Sequence, residues 1–370
     1  AGTALEDKVR NVPVSAEDID GLLKLAREES VGLTIIGPEV PLVEGVVDRF
    51  REAGLACFGP DSAGAQLEGS KAFTKDFLRR HRIPTADYRN VDDTEEALAY
   101  VREKGAPIVI KADGLAAGKG VIVAMTLAEA EAAVIDMLSG NRFGEAGHRV
   151  VIEEFLEGEE ASFIVITDGT NVLPLASSQD HKARDEGDVG PNTGGMGAYS
   201  PAPVVTADIE ERILGEVIQP TLAGLREEGI QYTGFLYAGL MITADGTPKV
   251  IEFNCRMGDP ETQPIMARLR SDLVDICEAT LDGRLADIDA EWDSRAALGV
   301  VMAAGGYPGS YEKGAPISGL EHLTPGSKVF HAGTDTSSRQ VVTSGGRVLC
   351  VVGLGASVSD ARDIAYGRVD

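Results

Sequence analysis

The sequence has few of the features that mark membrane, secreted or nucleic-acid-binding proteins. No apolar run approaches the roughly 20 residues that a membrane-spanning helix needs. The four cysteines are scattered without a C-x-x-C pair, which favours a reduced, cytoplasmic protein. Basic residues are outnumbered, because 34 Lys and Arg stand against 59 Asp and Glu and give a formal net charge of −25. We therefore expect neither a membrane nor a nucleic acid as a partner.

Several familiar catalytic and nucleotide-binding motifs are also missing. The chain has no strand-linked G-x-G-x-x-G, which disfavours a dinucleotide-dependent dehydrogenase. It has no G-x-S-x-G, and its cysteines lie in apolar runs, so no serine or cysteine nucleophile is evident. In so acidic a chain, a phosphate-binding pocket must concentrate its few positive groups locally. The lysines and arginines of glycine-rich segments are therefore the informative ones.

The length and the pattern of the chain predict several domains. At 370 residues it is too long for one simple core, so we expect two or three domains. An apolar content of 43% and 44 glycines are typical of a loop-rich α/β protein. The pattern reads α-β-α-β over residues 1–68, mixes helices and strands over 69–293, and becomes β-rich over 294–370. Because the first and last patterns are cut short, we expect both end domains to be incomplete.

Residues 1–68 predict a small parallel sheet with a ligand site at its edge. Ser15 is predicted to cap a helix over 16–29, and Gly54 to close a second helix over 42–53. Strand–helix–strand spacing implies parallel pairing, with ligands at the carboxyl ends of the strands. Gly37-Pro38-Glu39 lies at such an end, where a binding turn and an ordinary tight turn fit equally well.

The most informative segment is Ile251-Glu-Phe-Asn-Cys-Arg-Met-Gly-Asp-Pro-Glu261, whose first residues predict a strand with alternating faces. One face carries the polar residues Glu252, Asn254 and Arg256, and the other carries Phe253 and Cys255. A carboxylate and an amide oxygen suit a hard cation such as Mg2+, and the adjacent guanidinium grips an anion. Such equipment is typical of a nucleoside triphosphate site. An edge strand with a solvated polar face is the alternative, and the abrupt Gly-Asp-Pro end favours a site.

A second segment, Ile108-Val-Ile-Lys-Ala-Asp-Gly-Leu-Ala-Ala-Gly-Lys-Gly-Val-Ile-Val123, reads as a strand, a glycine-rich turn and another strand. It is not a Walker A loop, because its first two glycines are one residue too close and Gly120 replaces the metal-binding Ser or Thr. A glycine-rich hairpin can instead fold its backbone N–H groups over phosphates, with Lys111 and Lys119 adding charge. An ordinary hairpin with a long turn is the alternative, but the three glycines and the lysine favour phosphate binding.

Two connectors complete the pattern. Residues 152–160 begin as a strand and break into a polar connector, whose backbone can read an adenine edge while a carboxylate holds ribose hydroxyls. In isolation, an acidic solvated turn is the simpler interpretation of that segment. Residues 183–203 show no periodicity and carry many Gly and Pro. A loop of that length is usually a lid or a binding loop.

The order of these segments resembles the ATP-grasp superfamily, in which two α+β subdomains clamp ATP. Nearly the whole chain resembles one of its families more closely, phosphoribosylamine–glycine ligase (glycinamide ribonucleotide synthetase). The motifs that carry the resemblance are Gly69-Ser-Lys-Ala-Phe-Thr-Lys75, Lys111-Ala-Asp-Gly-Leu-Ala-Ala-Gly-Lys-Gly120, Gln179-Asp-His-Lys182, Gly190-Pro-Asn-Thr-Gly-Gly-Met-Gly-Ala-Tyr-Ser-Pro201 and Glu252-Phe-Asn-Cys-Arg-Met-Gly-Asp-Pro-Glu-Thr262.

The resemblance implies a multidomain α/β and α+β fold. Residues 1–68 would form a partial Rossmann-like N-terminal domain, and residues 69–293 an ATP-grasp domain of two α+β subdomains. Its lid subdomain would span about 89–158, and residues 294–370 would form a small, truncated β-rich C-terminal domain. A monomer is expected.

The resemblance also implies an ADP-forming carbon–nitrogen ligase of purine synthesis. Such an enzyme joins glycine to 5-phosphoribosylamine and gives glycinamide ribonucleotide, ADP and phosphate through a glycyl phosphate intermediate, with ATP as a substrate and Mg2+ or Mn2+ as the metal. This chemistry needs positioning and charge neutralisation more than a nucleophilic side chain. The alternatives are another ATP-grasp ligase, a carboxylase that works through carboxyphosphate, and a truncated nucleotide-binding fragment without turnover.

The family's site residues carry over only where the motifs match. Contacts to ATP are implied for Lys71, Lys111, Gly114, Gly118, Lys119 and Gly120 at the phosphates, Glu153, Glu154 and Leu156 at adenine, and Glu160 at the ribose. The implied metal ligands are Glu252 and Asn254. The implied substrate contacts are Gly37, Pro38 and Glu39 for phosphoribosylamine, and Asp180, His181, Lys182, Asn192, Thr193, Gly194, Gly195, Met196 and Arg256 for glycine and its acyl phosphate. The implied catalytic residues are Lys111, Asp180 and Arg256.

Overall fold

The structure is a computed structural model that describes residues 2–115, 120–139, 148–187, 189–322, 324–337 and 340–369. Within these ranges, no helix has both the length and the apolar character that crossing a membrane requires. The first elements are a 3-10 helix Gly2–Leu5, α1 (Ile19–Glu28), β1 (Thr34–Ile35), α2 (Glu39–Val43), α3 (Val46–Glu52), β2 (Cys57–Phe58), α4 (Gln66–Gly69), α5 (Lys71–Arg80), β3 (Tyr88–Val91), α6 (Thr94–Lys104), β4 (Ile108–Ala112), β5 (Val121–Ala124), α7 (Leu127–Ser139) and β6 (Val150–Glu154).

The remaining elements alternate between short strands and helices. They are β7 (Glu159–Thr167), β8 (Val172–Pro174), β9 (Gln179–Asp180), β10 (Ala183–Asp185), β11 (Val189–Asn192), β12 (Gly197–Ser200), α8 (Ala207–Arg212), a π-helical segment Ile213–Ile218, α9 (Gln219–Glu227), β13 (Gly234–Ile242), β14 (Pro248–Asn254), α10 (Thr262–Arg268), α11 (Leu273–Leu281), a 3-10 helix Leu285–Asp287, β15 (Ala296–Ala303), β16 (Ser327–His331), β17 (Thr334–Ser337), β18 (Gln340–Thr343), β19 (Arg347–Gly355) and α12 (Val358–Val369).

The N-terminal region has the predicted parallel pair but different helix boundaries. β1 and β2 pair in parallel, which confirms the prediction. Ser15 is not the cap of α1, because the Asp18 carboxylate accepts the N–H of Gly21 at 2.9 Å and the helix begins after it. The predicted helix over 42–53 is divided into α2 and α3, because Gly45 takes a φ of +85°, which helical residues do not adopt.

Residues 88–154 form a sheet with its own core. The strand order is β3-β6-β4-β5, and every pair is antiparallel. The larger buried residues of this core are Leu98, Tyr100, Val101, Ile110, Val134, Met137 and Ile152. The predicted hairpin is present as β4 and β5, with Lys111 opposite Val121 at the end next to the glycine-rich turn.

The central sheet has the order β14-β13-β7-β8 and is covered on both faces. On one face, Phe163 and Leu236 share a core with Phe50 of helix α3. On the other face, Ile164 packs in a core with Ile265 of helix α10. β14 and β8 are the edge strands of this sheet, and the outer edge of β14 is partly paired, since Val250 donates its N–H to the Pro84 carbonyl at 2.8 Å.

The last sheet combines the β-rich C-terminal region with the region before it. Its order is β16-β19-β15-β12-β9, and β12 pairs antiparallel with β15, Gly197 lying opposite Val300. Residues 183–203, predicted as a loop, therefore contain short strands. Their brevity and their glycines hide the alternation that marks a strand. The consequence is that this segment is attached to the C-terminal sheet.

A buried ion cluster joins the 88–154 sheet to the central sheet. The carboxylate of Glu153 on β6 lies 2.8 Å from the ammonium of Lys75 and 3.0 Å from that of Lys111. Lys75 also donates to the Thr85 hydroxyl at 2.7 Å, and Lys111 to the Ile251 carbonyl at 3.0 Å. Burial lowers the pKa of Lys75 to about 8, although Glu153 raises it. One carboxylate thus fixes two lysines from different elements.

The capping of α1 gives the first testable prediction. Replacing Asp18 by Ala removes the acceptor for the first turn, so we expect amide hydrogen exchange in Ile19–Glu28 to report about 1 kcal/mol less local stability. Ser15→Ala is the matched control, because Ser15 lies outside the helix, and it should leave exchange in α1 unchanged. A larger effect in the Ser15 variant would contradict the assignment of the cap.

The buried cluster gives a second prediction. In Glu153→Gln, Lys75 loses its carboxylate, so its pKa falls further below the unfolded value of about 10.4. A lysine whose folded pKa is lowered makes stability rise with pH between its folded and unfolded pKa values. The free energy of unfolding should therefore fall by about 3 kcal/mol at pH 6, and this loss should shrink as the pH approaches about 8.

Urea unfolding from pH 6 to pH 9 measures this difference, with Glu154→Gln as the control. Glu154 is the next residue on the same strand but is exposed. Replacing its carboxylate by the glutamine amide should therefore change the free energy of unfolding little at any pH. A Glu153 variant that matches the control, or whose loss does not depend on pH, would contradict the role assigned to the cluster.

Candidate active site

The polar strand has the alternation that the sequence predicts. Phe253 and Cys255 are both 2% exposed and lie in the core, while Glu252 and Asn254 lie on the half-buried face. A β-bulge precedes them, since Gly239 pairs with Glu252 but the next residue of β13 pairs with Val250. The bulge places one extra residue, Ile251, in the strand. The Ile251 carbonyl accepts a hydrogen bond from the Lys111 ammonium group at 3.0 Å.

The charge of Glu252 is set by the cations around it. Burial raises its pKa, but the positive charges of Lys182, Lys111 and Lys71 outweigh burial, and the pKa lies below the ordinary value. The carboxylate is therefore ionised at neutral pH. An ionised carboxylate beside an amide oxygen is a suitable pair of ligands for a hard divalent cation.

The beginning of helix α5 is tied to the glycine-rich turn. Lys71 donates its ammonium hydrogen to the Gly114 carbonyl at 2.9 Å. Asp113 accepts the Ala72 N–H at 3.1 Å and the Ser70 hydroxyl at 3.0 Å. Asp113 is not among the predicted site residues, although an acid just before a turn glycine is a signal for such a contact. Gly118 and Lys119 lie outside the described residues.

Asp113, which follows β4, also contacts the start of the neighbouring strand β6. It forms an ion pair with Arg149, which precedes β6. Burial raises the pKa of Asp113, but the Ala72 N–H and the Arg149 guanidinium lower it further, and the net pKa lies below the ordinary value. Ala112 donates its N–H to the Gly120 carbonyl at 2.8 Å. The described ends of the turn are thus fixed on both sides.

The connector after β6 divides its acidic side chains between different partners. Glu153 faces Lys75 and Lys111, as described above. Glu154 is exposed, and its carboxylate lies 3.8 Å from the ammonium of Lys249 and accepts the Asp87 N–H at 3.3 Å. Leu156 is half-buried. The predicted adenine contacts therefore lie together, but the Glu153 side chain is held by lysines.

Further along the connector, Glu160 forms an ion pair with Lys182. Burial lowers the pKa of Lys182, but the charges of Asp180 and Glu160 outweigh burial and raise it above its usual range. The pKa of Asp180 is raised to about 7 by burial, although Lys182 lowers it. Asp180, Lys182 and Glu160 thus form one cluster of alternating charge on the same side as Glu252.

The segment that contains residues 190–197 is held by the Thr193 hydroxyl and by backbone contacts with residues 181–182. The Thr193 hydroxyl donates to the Lys182 carbonyl at 2.9 Å and accepts the Gly195 N–H at 3.0 Å. Met196 donates its N–H to the His181 carbonyl at 2.7 Å. Asn192 is exposed. The structure therefore brings most of the predicted glycine-binding residues onto one turn beside Lys182.

Arg256 connects the polar strand to the N-terminal region. Its guanidinium lies 3.3 Å from Glu39 and 2.9 Å from Glu68, and it donates to the Asn254 side-chain oxygen at 3.4 Å. Glu39 follows Gly37 and Pro38, so the predicted binding turn lies beside Arg256. The other oxygen of Glu68 accepts the Cys255 N–H at 2.7 Å.

Glu68 was missed by sequence reasoning. It is 8% exposed, and burial raises its pKa to about 7, although Arg256 lowers it. Its signal is an acidic residue directly before the motif that begins at Gly69. A second missed acid is Glu261, which is 2% exposed and accepts the Tyr237 hydroxyl at 2.6 Å.

The arrangement suits a polyanionic ligand with a divalent cation. The positive groups are Lys71, Lys111, Lys182 and Arg256, and they surround Glu252 on one side of the central sheet. No group of three His, Cys, Asp or Glu side chains able to hold a metal occurs in the described residues. A cation at Glu252 and Asn254 would therefore share its coordination with ligand oxygens, as Mg2+ commonly does with phosphates.

Three family models match the chain, and together they span most of it. The model of the phosphoribosylglycinamide synthetase N domain matches residues 1–68, that of the ATP-grasp (A) domain matches 69–262, and that of the C domain matches 297–370. These spans cover the polar strand, the glycine-rich turn and the sheet that carries β15 and β19.

Curated relatives are similar over the whole chain. Phosphoribosylamine–glycine ligase of Vibrio parahaemolyticus is 67% identical over 99% of this chain and 86% of its own length. The ligase of the same name from Allochromatium vinosum is 66% identical over 100% of this chain and 86% of its own length.

Solved structures agree with these relatives. The crystal structure of the Thermotoga maritima phosphoribosylamine–glycine ligase has a TM-score of 0.85 and 34% identity, and the alignment covers 98% of this chain and 86% of that one. The biotin carboxylase domain of the Hydrogenobacter thermophilus 2-oxoglutarate carboxylase has a TM-score of 0.73 at 19% identity, covering 99% and 81%, and shares the fold alone. The chain belongs to the phosphoribosylglycinamide synthetase family, whose central domain is an ATP-grasp domain.

Proposed function

We propose that this chain joins glycine to 5-phosphoribosylamine and converts ATP to ADP and phosphate in doing so. The observation that carries the proposal is the cluster of Lys71, Lys111 and Lys182 around the ionised Glu252, in a chain 67% identical to a phosphoribosylamine–glycine ligase. Phosphoryl transfer to a carboxylate needs positioned cations and no nucleophilic side chain.

The four cysteines are buried and unpaired, which suits the cytoplasm. That the protein is a monomer stays a prediction.

The triphosphate would lie between the glycine-rich turn and β14. The Lys111 ammonium donates one N–H to the Ile251 carbonyl and lies 3.0 Å from the Glu153 carboxylate, and a phosphate oxygen would take a further N–H. Lys71 would exchange its contact with the Gly114 carbonyl for a phosphate. Both ammonium groups neutralise charge that develops on the transferred phosphoryl group.

The metal ligands proposed are Glu252 and Asn254, with Mg2+ or Mn2+ as the ion. The donor set fits, because both atoms are oxygens and the pKa of Glu252 is lowered by its cationic neighbours after burial has raised it. When bound there, the ion would draw electrons from the phosphate oxygens and neutralise their charge. All other steps depend on the side chains and the backbone.

Glycine would bind beside Arg256 and Lys182, with the turn at 193–196 around it. Its carboxylate oxygen attacks the γ-phosphorus, the bond to the β-phosphate oxygen breaks, and ADP leaves. The amine of 5-phosphoribosylamine then attacks the acyl carbon of glycyl phosphate, loses a proton and displaces phosphate. Asp180 is proposed to contact glycine through its carboxyl group. Burial raises the pKa of this group to about 7, and the positive charge of Lys182 opposes that rise. Adenine contacts are proposed for Glu153, Glu154 and Leu156.

Two assays test the proposed function. We expect ADP formation that requires glycine and 5-phosphoribosylamine together, each omitted in turn. With hydroxylamine in place of the second amine, glycyl phosphate should be trapped as the hydroxamate of glycine, which identifies the acyl phosphate directly. Dependence on bicarbonate instead of glycine would favour a carboxylase. Nucleotide binding without any product would favour a module that has no turnover.

The metal ligands generate a third prediction. Glu252→Gln keeps the shape of the side chain but removes its charge, so kcat/KM should fall more than about 100-fold and the Mg2+ concentration needed for half-maximal rate should rise. Steady-state kinetics at varied Mg2+ measure both effects. Glu211→Gln is the control, because Glu211 is exposed on helix α8. Near-normal activity of the Glu252 variant would contradict the assignment.

A further inference from the structure

One arginine of the C-terminal sheet makes an unusual set of contacts outside its own sheet. Arg347 is the first residue of β19. Its guanidinium donates through Nη1 to the Gly194 carbonyl at 2.6 Å and to the Asp259 carbonyl at 2.8 Å, and more weakly to the Gly195 carbonyl at 3.4 Å. Through Nη2 it donates to the Asp259 carboxylate at 2.8 Å. One side chain therefore bridges two separate segments.

Both segments belong to the substrate side of the site. Gly194 and Gly195 lie on the turn beside Lys182, and Asp259 follows the polar strand by five residues after Asn254. Arg347 thus sets the distance between the turn and the segment that carries Arg256. In the described residues, its side-chain hydrogen bonds go to Gly194, Gly195 and Asp259, which are not among the residues proposed to bind ATP.

The two glycines of the turn depend on contacts made by other residues. Gly194 and Gly195 have no side chains, and Gly195 takes a φ of +106° that L-residues rarely adopt. Both backbone groups of Gly194 are held from the C-terminal region, since its N–H donates to the Tyr307 hydroxyl at 3.0 Å and its carbonyl accepts from Arg347. A Cβ on Gly194 would lie 3.1 Å from the guanidinium carbon of Arg347.

The guanidinium group is specifically suited to this bridge. Its Nη1 donates to both segments while its Nη2 holds the Asp259 carboxylate, an arrangement of two nitrogens that a single lysine ammonium does not reproduce. The Arg347 side chain is 22% exposed, so water competes for its contacts less than at a free surface. A lysine would keep a positive charge near Asp259 but could not hold the carboxylate and the two carbonyls from separate nitrogens.

We propose that Arg347, assisted by Tyr307, is a positioning residue for the glycine substrate, which it serves by fixing the turn at Gly194–Gly195 against the Asp259 segment. The inference rests on the proposed function, because the turn is the proposed glycine-binding element. It assigns to the C-terminal region a share in binding the amino acid and no share in binding ATP.

The test compares Arg347→Lys with the full-length wild-type chain in steady-state kinetics. We expect the KM for glycine to rise at least tenfold, while the KM for ATP and the melting temperature stay near wild-type values. Tyr307→Phe should change the same constant in the same direction by a smaller factor, because water can replace the hydroxyl at the exposed Gly194. If Arg347 had only a structural role, its replacement would raise the KM for ATP as well as the KM for glycine. An unchanged KM for ATP therefore distinguishes a positioning role from a structural one.

Arg295→Lys is the matched control. Arg295 also forms a two-nitrogen ion pair with an aspartate, Asp293, at 3.0 and 2.8 Å, and in the described residues its guanidinium is hydrogen-bonded to Asp293 and not to the turn. Its kinetic constants should match the wild type. Equal rises in the KM for glycine and ATP, a lowered melting temperature, or an unchanged glycine KM in Arg347→Lys would each overturn the proposal. Absence of glycine-dependent ADP formation in the wild type would instead overturn the proposed function.

Discussion

The site depends on one buried ammonium group, that of Lys111. It lies 3.0 Å from the Glu153 carboxylate of the 88–154 sheet and 3.0 Å from the Ile251 carbonyl of the central sheet. Two sheets with separate cores therefore meet at a charge that neither can solvate alone. The bulge in β14 makes the carbonyl available, and Glu153 compensates for the burial of Lys111 and Lys75 together. A ligand at this joint contacts both sheets at once.

The balance of charge explains how so acidic a chain can bind a triphosphate. The net charge is −25, yet the few lysines at the joint lie close enough to keep the pKa of Glu252 low after burial has raised it. The surrounding acids are in turn held, Asp113 by the Ala72 N–H and Arg149, and Glu68 by Arg256. Asp113 and Glu68 are thus each fixed by a cationic partner near the site.

The sequence predicted the parts of the site that consist of contiguous pattern. The alternation of Phe253 and Cys255 with their polar neighbours is visible in six residues, because a strand has a period of two. The predicted cap at Ser15 was wrong, because Asp18 offers an equally good acceptor three residues later and only packing of α1 decides between them. A local pattern identifies an element more reliably than its first residue.

Contacts between distant segments were not visible in the sequence. Glu68 meets Cys255 across 187 residues, and Arg347 meets Gly194 across 153. Neither pairing leaves a periodic signal, since each joins segments that are distant along the chain and that only the complete fold brings together. The strands within 183–203 were missed for a related reason: β12 is a strand because β15 pairs with it, and its own glycine-rich sequence has little preference for that state. Family resemblance supplied the roles that pattern could not.

The most direct test of the central claim is a crystal structure of the full-length chain with Mg2+ and a non-hydrolysable ATP analogue. The account predicts a cation between the Glu252 carboxylate, the Asn254 amide oxygen and the phosphates, with the Lys111 ammonium group on a phosphate oxygen while it keeps the Ile251 carbonyl. A nucleotide bound elsewhere, or a cation held without Glu252, would contradict it.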